Sequence, residues 1–301
     1  MIIGNESDLT DAVLRELQRT PDPRMREVLS AAARQLHAFA REVRLTEAEL
    51  QQACAFVARV GQATTASHNE AVLLAGSLGL STLVCLMNNG GGPETTANLL
   101  GPFWRTGSPR TPDGASIVRS PTPGDPIFVT ATVVDGQGRP VPDADVDVWH
   151  ASTEGLYENQ DASQADMNLR GTFTTDAQGR IRFRSVKPAG YPIPVNGPVG
   201  ELLRAQARRH NMRPAHLHFL IHKPGYKTQF SQVYSSDDPH LESDVQFGVT
   251  RALIGRYVEH DGPAPDADVR GRWYSLEHRF VVERGEARLP HAPITGKAGV
   301  A

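Results

Sequence analysis

The sequence predicts an α+β protein, a helical N-terminal domain packed with an antiparallel β-sandwich. Three observations carry the prediction. Apolar residues recur every three or four positions over residues 1–100, which is a helical period. From about Asp125 they recur at every second position, which is a strand period. Most of the 22 prolines fall in this second part, where short segments are separated by Gly, Asp and Pro turns. That punctuation belongs to a sandwich or barrel rather than to a parallel sheet.

The elements follow in chain order. Asp22-Pro23 reads as an N-cap with proline at the first helical position. Met25, Leu29, Ala32, Leu36, Phe39 and Val43 then make one apolar helical face. Thr46 and Glu49 have capping-box spacing and open a helix with Leu50, Cys54, Val57 and Ala58 on one side. A third apolar stretch, Ala71 to Met87, stops at Asn88-Asn89-Gly90-Gly91-Gly92-Pro93, which no helix crosses. Further on, Ile127, Val129, Ala131 and Val133 alternate with Phe128, Thr130 and Thr132, and Asp135-Gly136-Gln137-Gly138 turns the chain. Ala144, Val146 and Val148 alternate with Asp143, Asp145 and Asp147. Phe173 leads into a second turn, Asp176 to Gly179, and Ile181 and Phe183 return. The expected organisation is a helical domain over residues 1–100, a Gly/Pro linker over 101–124, a β-sandwich over 125–284 and a tail over 285–301. The tail is rich in Gly, Pro and Ala and is expected to be loosely attached.

Composition excludes several classes. The 301 residues are 39% hydrophobic and 22% charged, an ordinary globular balance. Lys and Arg number 31 against 34 Asp and Glu, so no basic excess favours a nucleic-acid backbone. No apolar run reaches the roughly 18–20 residues of a membrane span. The opening MIIGNESDLTD has no basic region followed by an apolar one, so a cytoplasmic location is expected. The two cysteines, Cys54 and Cys85, sit in apolar helical context and are expected to be buried free thiols of a reducing compartment, neither a disulfide scaffold nor a thiolate zinc site.

Eleven histidines are mostly scattered, with one exception. In Arg213-Pro214-Ala215-His216-Leu217-His218-Phe219, His216 and His218 are two apart, so on a strand they project from one face. Two imidazoles on a rigid strand offer two nitrogen ligands to a metal, although such a pair also serves simply as packed side chains. No H-E-x-x-H, no CxxC and no adjoining carboxylate accompanies them, so an ordinary zinc hydrolase or a two-His-one-carboxylate iron site needs help from elsewhere. Tyr157, in Glu154-Gly155-Leu156-Tyr157-Glu158-Asn159, and Tyr191, in Gly190-Tyr191-Pro192, lie in unusual loops, and taken alone each reads as aromatic packing. A non-catalytic binding module of transthyretin-like shape is the remaining rival.

The order Trp149-His150-Ala151, Gly155-Leu156-Tyr157, Gly171 to Asp176, Gly190-Tyr191-Pro192 and Arg213 to Phe219 resembles the intradiol ring-cleavage dioxygenases, the catechol and hydroxyquinol 1,2-dioxygenases. The resemblance implies one non-haem Fe(III) held by Tyr157, Tyr191, His216 and His218, with Tyr191 the ligand that dissociates and accepts a substrate proton. Phenolate suits this ion because it is a hard anionic donor, and two phenolates with one hydroxide neutralise its three charges. The substrate implied is a catechol-type diol, opened with O2 to a cis,cis-muconate-type diacid.

Further roles come from the same resemblance. Arg213 faces the substrate and stabilises charge developing on the ring, and Gln232 is a hydrogen-bonding group near the iron. His222, Tyr226, Tyr234, Tyr257 and Tyr274 read as structural or packing residues. Leu73, Gly76, Gly101, Pro102, Phe103, Ile193, Pro194 and Arg213 line the substrate pocket. Gly76 falls where hydroxyquinol enzymes tend to carry an acidic residue and catechol enzymes a small apolar one or proline, and it is expected to leave extra room. Leu100-Gly101-Pro102-Phe103 resembles the hydroxyquinol pattern, so hydroxyquinol is the expected substrate, with catechol or chlorocatechol the alternative. The N-terminal helices are expected to form a homodimer, with a phospholipid as a further expected partner.

Overall fold

The computed structural model describes residues 2–90, 95–208 and 210–297. Two compact units make up the chain, Met1–Ala58 and Arg59–Ala301.

In the first unit, α1 (Glu6–Leu17) starts at Asn5, whose side chain accepts hydrogen bonds from the Ser7 and Asp8 backbone N–H groups. Helix α2 (Pro23–Glu42) starts where Asp22 Oδ1 accepts from Met25 N. Arg41 and His37 of α2 both reach Thr10 Oγ1 of α1, at 2.5 and 3.0 Å. Helix α3 (Glu47–Ala63), whose last residues belong to the second unit, opens with the expected capping box: Glu49 N donates to Thr46 Oγ1, and Thr46 N donates to Glu49 Oε2. The apolar faces read from the sequence are present but uncovered, with Leu36 at 65% and Val57 at 66% exposure. Cys54 is exposed and Cys85 half-buried, which corrects the expectation of two buried thiols. On Cys85, burial pushes the thiol up to about 11, so it is inert at neutral pH.

The second unit holds the rest. The apolar stretch from Ala71 is two helices, α4 (Glu70–Ser77) and α5 (Leu80–Asn88), bent by 76° at Gly79, whose φ of +72° breaks the run. Residues 91–94 of the expected stop signal lie outside the described residues. Among the described residues eleven strands follow: β1 (Pro126–Asp135), β2 (Asp145–Trp149), β3 (Arg170–Thr174), β4 (Arg180–Val186), β5 (Tyr191–Pro192), β6 (Met212–Arg213), β7 (His216–His222), β8 (Gln229–Ser235), β9 (Ile254–Gly255), β10 (Val258–Asp261) and β11 (Arg272–Val282), with α6 (Pro198–Ala205) between β5 and β6. One sheet has the order β10-β11-β1-β4, the second β3-β2-β7-β8-β9, and β5 and β6 form a separate ribbon. Most pairs are antiparallel as expected, but β1 and β11 run parallel over nine positions. The two strands are far apart in sequence, so no hairpin dictates their direction.

Alternation decides the core. Ile127, Val129, Ala131 and Val133 of β1 face Val146, Val148, Phe173 and Phe219 of the other sheet in one buried cluster. Each of the larger side chains contributes about 1.5–3 kcal/mol by leaving water. Both Asp turns work the same way: Asp135 Oδ1 accepts from Gln137 N and Arg139 N, and Asp176 Oδ1 from Gln178 N and Arg180 N. Residues 101–124 are less a free linker than a packed strap, with Phe103, Trp104 and Ile117 buried. The tail is docked rather than loose through residue 297. Ile294 is fully buried, Thr295 N donates to Ala66 O, and Asn69 Nδ2 donates to Pro293 O.

Two buried imidazoles make stability pH-dependent. His150 Nδ1–H donates to Ala151 O (2.7 Å) and its Nε2 accepts from Ser185 Oγ (2.6 Å), while His278 Nε2 has no partner among the described residues. Burial pushes each imidazole down to about 4. In the unfolded chain they titrate near ~6.5, so between these values the unfolded state takes up protons that the folded state refuses. Stability therefore falls as pH drops from about 6.5 towards 4, by up to about 1.4 kcal/mol per pH unit per group. Urea midpoints at pH 7 and 5 should show this drop, and His278→Leu should reduce it by one proton's share. Equal midpoints at the two pH values would contradict the account.

Candidate active site

Strand pairing brings the chemistry-bearing residues to one point. On β7, His216 and His218 project together, as their parity predicts. Their neighbours across β8 are Tyr234 and Gln232, and across β2 His218 lies opposite Trp149. The Trp149 indole stacks on the His218 ring at 4.6 Å and 9°, which fixes the ring plane. The β5–β6 ribbon sets Tyr191 opposite Arg213. Tyr157 arrives on a loop held by Gln160 Oε1, which accepts from Tyr157 N. Gly155 in that loop has φ +77°, and a Cβ there would stand 2.8 Å from Tyr191 Cβ, so only glycine lets the two tyrosine segments approach.

The result is a buried cluster of four donors. Tyr157 Oη lies 3.1 Å from Tyr191 Oη, 2.9 Å from His218 Nε2 and 3.4 Å from His216 Nε2, and the two imidazole Nε2 atoms are 3.1 Å apart. His216 Nδ1–H donates to Pro214 O at 2.7 Å, so its Nε2 turns a lone pair into the cluster. Burial and the nearby Arg213 push His216 down to about 3, and burial with His216 holds His218 well below the ordinary range, so both rings are neutral. Burial also pushes both phenols up, Tyr157 most strongly, so neither ionises without a cation beside it.

This donor set fits a metal ion. For bonds of about 2.0–2.2 Å, ligands at 90–120° stand roughly 2.8–3.8 Å apart, the range seen here. A shared cation would satisfy lone pairs that now face one another and would supply the charge that phenolates require. Among the described residues no three His, Cys, Asp or Glu side chains gather into a metal-binding group. Two phenol oxygens favour a hard trivalent ion over zinc.

A second layer surrounds the donors. Arg213 Nε and Nη2 donate to the two oxygens of Asp244, both at 3.0 Å. Its Nη2 also donates to Gln232 Oε1 (2.9 Å) and Tyr234 Oη (2.8 Å), and Nη1 is 3.3 Å from His216 Nε2. Burial works against the charged guanidinium, but Asp244 and its neighbours outweigh it and keep Arg213 protonated. Gln232 Nε2 donates to Leu99 O (2.8 Å), tying β8 to residues 99–103.

Comparison with known proteins agrees with this architecture. Residues 99–277 match the family model "Dioxygenase", and residues 22–95 match "Catechol dioxygenase N terminus". The chain belongs to the intradiol ring-cleavage dioxygenase family. This dioxygenase is 38% identical over 286 residues to a hydroxyquinol 1,2-dioxygenase of Rhizobium sp. (strain MTP-10005), covering 93% of this chain and 96% of that one. It is 41% identical over 281 residues to a 6-chlorohydroxyquinol 1,2-dioxygenase of Cupriavidus pinatubonensis, covering 92% and 97%. The crystal structure of hydroxyquinol 1,2-dioxygenase from Pseudomonas putida DLL-E4 superposes with a TM-score of 0.80 at 37% identity, covering 93% and 99%.

The residues expected to line the substrate pocket are distributed as follows. Leu73, Phe103 and Ile193 are buried in the same apolar cluster as Tyr157 and Tyr191, with the Phe103 ring 4.5 Å from Tyr157. Pro102 is buried and Pro194 half-buried. Gly101, at φ +78°, lies so close that a Cβ would be 3.3 Å from His218 Cε1, and it also lines a cleft of about 670 Å³ with Leu99, Leu100 and Val72. Gly76 is a correction. Far from leaving room, it lies under the Gln246 side chain, whose Oε1 would be 1.8 Å from a Cβ at that position. Tyr234 is also more than packing, since its hydroxyl accepts from Arg213 and donates to Gln232 Oε1 (2.7 Å). The His222 imidazole hydrogen-bonds Thr228 Oγ1, and Tyr226, Tyr257 and Tyr274 belong to the sandwich core. Asp244 and Gln246 were not singled out from the sequence, because they follow no motif and lie in an irregular segment.

Proposed function

We propose that this dioxygenase cleaves hydroxyquinol (benzene-1,2,4-triol) between its adjacent hydroxyl-bearing carbons. Both atoms of O2 enter the product, 3-hydroxy-cis,cis-muconate, the tautomer of maleylacetate. The observation that carries the reading is a two-phenol, two-imidazole cluster in a chain similar over nearly its whole length to hydroxyquinol enzymes. Tyr157, Tyr191, His216 and His218 would hold one non-haem Fe(III). Bound there, the ion would supply the Lewis acidity that favours the deprotonated diol. Tyr191 Oη takes one substrate hydroxyl proton. Arg213, fixed by Asp244, Tyr234 and Gln232, places positive charge beside the ring without reorganising. Leu73, Phe103, Ile193 and the flanking prolines keep water from the reacting face.

Catechol remains a second reading because Gly76 supplies no acidic partner for a third hydroxyl. Oxygen uptake with product identification over hydroxyquinol, catechol and chlorocatechols separates the two. Hydroxyquinol should give the highest kcat/KM, and a preference for catechol would overturn the substrate assignment. Tyr191→Phe should keep some iron through three remaining donors, shift the visible band and lose most turnover. An unshifted band would remove Tyr191 from the ligand set. The exposed apolar stripes of α2 and α3 support a homodimer through the N-terminal helices, with phospholipid as a further partner.

A further inference from the structure

The geometry points to Gln246 as the residue that recognises the third hydroxyl of the ring, a role resting on the hydroxyquinol reading above. Gly76 lies one helical turn beyond Leu73 on α4, so the two share a face. Leu73 packs in the cluster that contains Tyr157, Tyr191 and Val245. The notch left by Gly76 is filled from the opposite side by Gln246, which is 3% exposed. Its backbone is pinned: Gln246 N donates to Asp244 Oδ1, the same carboxylate that clamps Arg213. Its carboxamide is half-used. Nε2 donates to Ser77 Oγ at 2.7 Å, and no donor among the described residues meets Oε1. Whichever way the amide is turned, Ser77 binds one polar atom and leaves the other free. A half-used carboxamide beside the apolar cluster of Leu73, Tyr157, Tyr191 and Val245 suits a hydroxyl carried on an aromatic ring. It would accept the hydroxyl's proton in a hydrogen bond that catechol cannot form. A small residue at 76 and a long polar one at 246 thus act as one unit, with the polar head supplied from the loop instead of the helix.

The test uses the iron-loaded full chain and two readouts, kcat/KM and anaerobic substrate titration in the visible band, each for hydroxyquinol and catechol. Gln246→Leu should lower the hydroxyquinol-to-catechol ratio in both readouts by about 5- to 50-fold, the loss of a buried hydroxyl's partner. Gln246→Glu, which keeps an acceptor at the same reach, should hold the ratio within about threefold of wild type, and it serves if the leucine variant fails to fold. Adding Gly76→Asp to Gln246→Ala should restore the ratio, because the shortened side chain leaves the notch free for a carboxylate. A structural role alone would lower both substrates equally and leave the ratio unmoved, which would overturn the inference. If the wild type cleaves no hydroxyquinol, the underlying substrate reading has failed instead.

Discussion

Replacing His218 with alanine will leave a protein without stoichiometric iron and without measurable ring cleavage. His218 is held in the cluster by its stack on Trp149 and by close contacts at Nε2. Its Nε2 is within 3.1 Å of both Tyr157 Oη and His216 Nε2, and its ring is sandwiched in register against Trp149. Removing it takes one of four donors from a small ion and leaves Tyr157 without the cation that its buried phenolate needs, so the loss propagates to a second ligand. The expected fall in turnover exceeds about a thousandfold, since the remaining binding groups alone cannot supply the missing electrophile. His222→Ala, on the same strand but with its ring bonded to Thr228 at the far end from the cluster, should keep both iron and activity. Metal analysis of the two variants decides the point, and a His218→Ala protein with full iron would remove His218 from the ligand set.

Arg213→Met carries the second large effect, and it acts on stability as well as rate. Burial alone would raise the Asp244 carboxyl, but Arg213 and the backbone N–H groups of Gln246 and Gly248 outweigh it and hold the carboxylate ionised. Without Arg213 a buried charge is left unpaired, which costs about 3–5 kcal/mol. At roughly 2–4 °C per kcal/mol, the melting temperature should fall by about 6–20 °C. Turnover should drop by about 10²–10³, the scale of a preorganised charge-stabilising group. A double variant, Arg213→Met with Asp244→Leu, should recover much of the stability because the unpaired charge is gone, yet none of the turnover. Recovery of both together would show that Arg213 holds the fold and nothing more.

Much of this was legible in the chain. Period-two alternation placed β1, β2 and β4, since each has one face on the core, and the two Asp turns announced themselves through side chains that bond their own backbone. The parity of His216 and His218 needed only the pleat. Tyr157 and Tyr191 were different: 34 residues apart and on loops, they became a pair only through resemblance, because no local period links them. The network behind Arg213 was hidden for the same reason. Asp244 is 31 residues away in irregular chain, and Tyr234 looks like any strand aromatic until its cross-strand neighbour is known. Periodicity also says that a helix face is apolar without saying what covers it. The stripe on α2 was read correctly as a stripe, yet Leu36 and Phe39 are exposed. Gly76 misled because a missing side chain suggests a void, whereas Gln246 from a distant loop occupies it.

The most direct test of the central claim is metal content with the visible spectrum of the purified protein. The account predicts about one iron per chain and a burgundy colour from tyrosinate-to-Fe(III) charge transfer, shifting when hydroxyquinol is added without oxygen. A colourless protein, or one that binds zinc in place of iron and retains its fold, would contradict it.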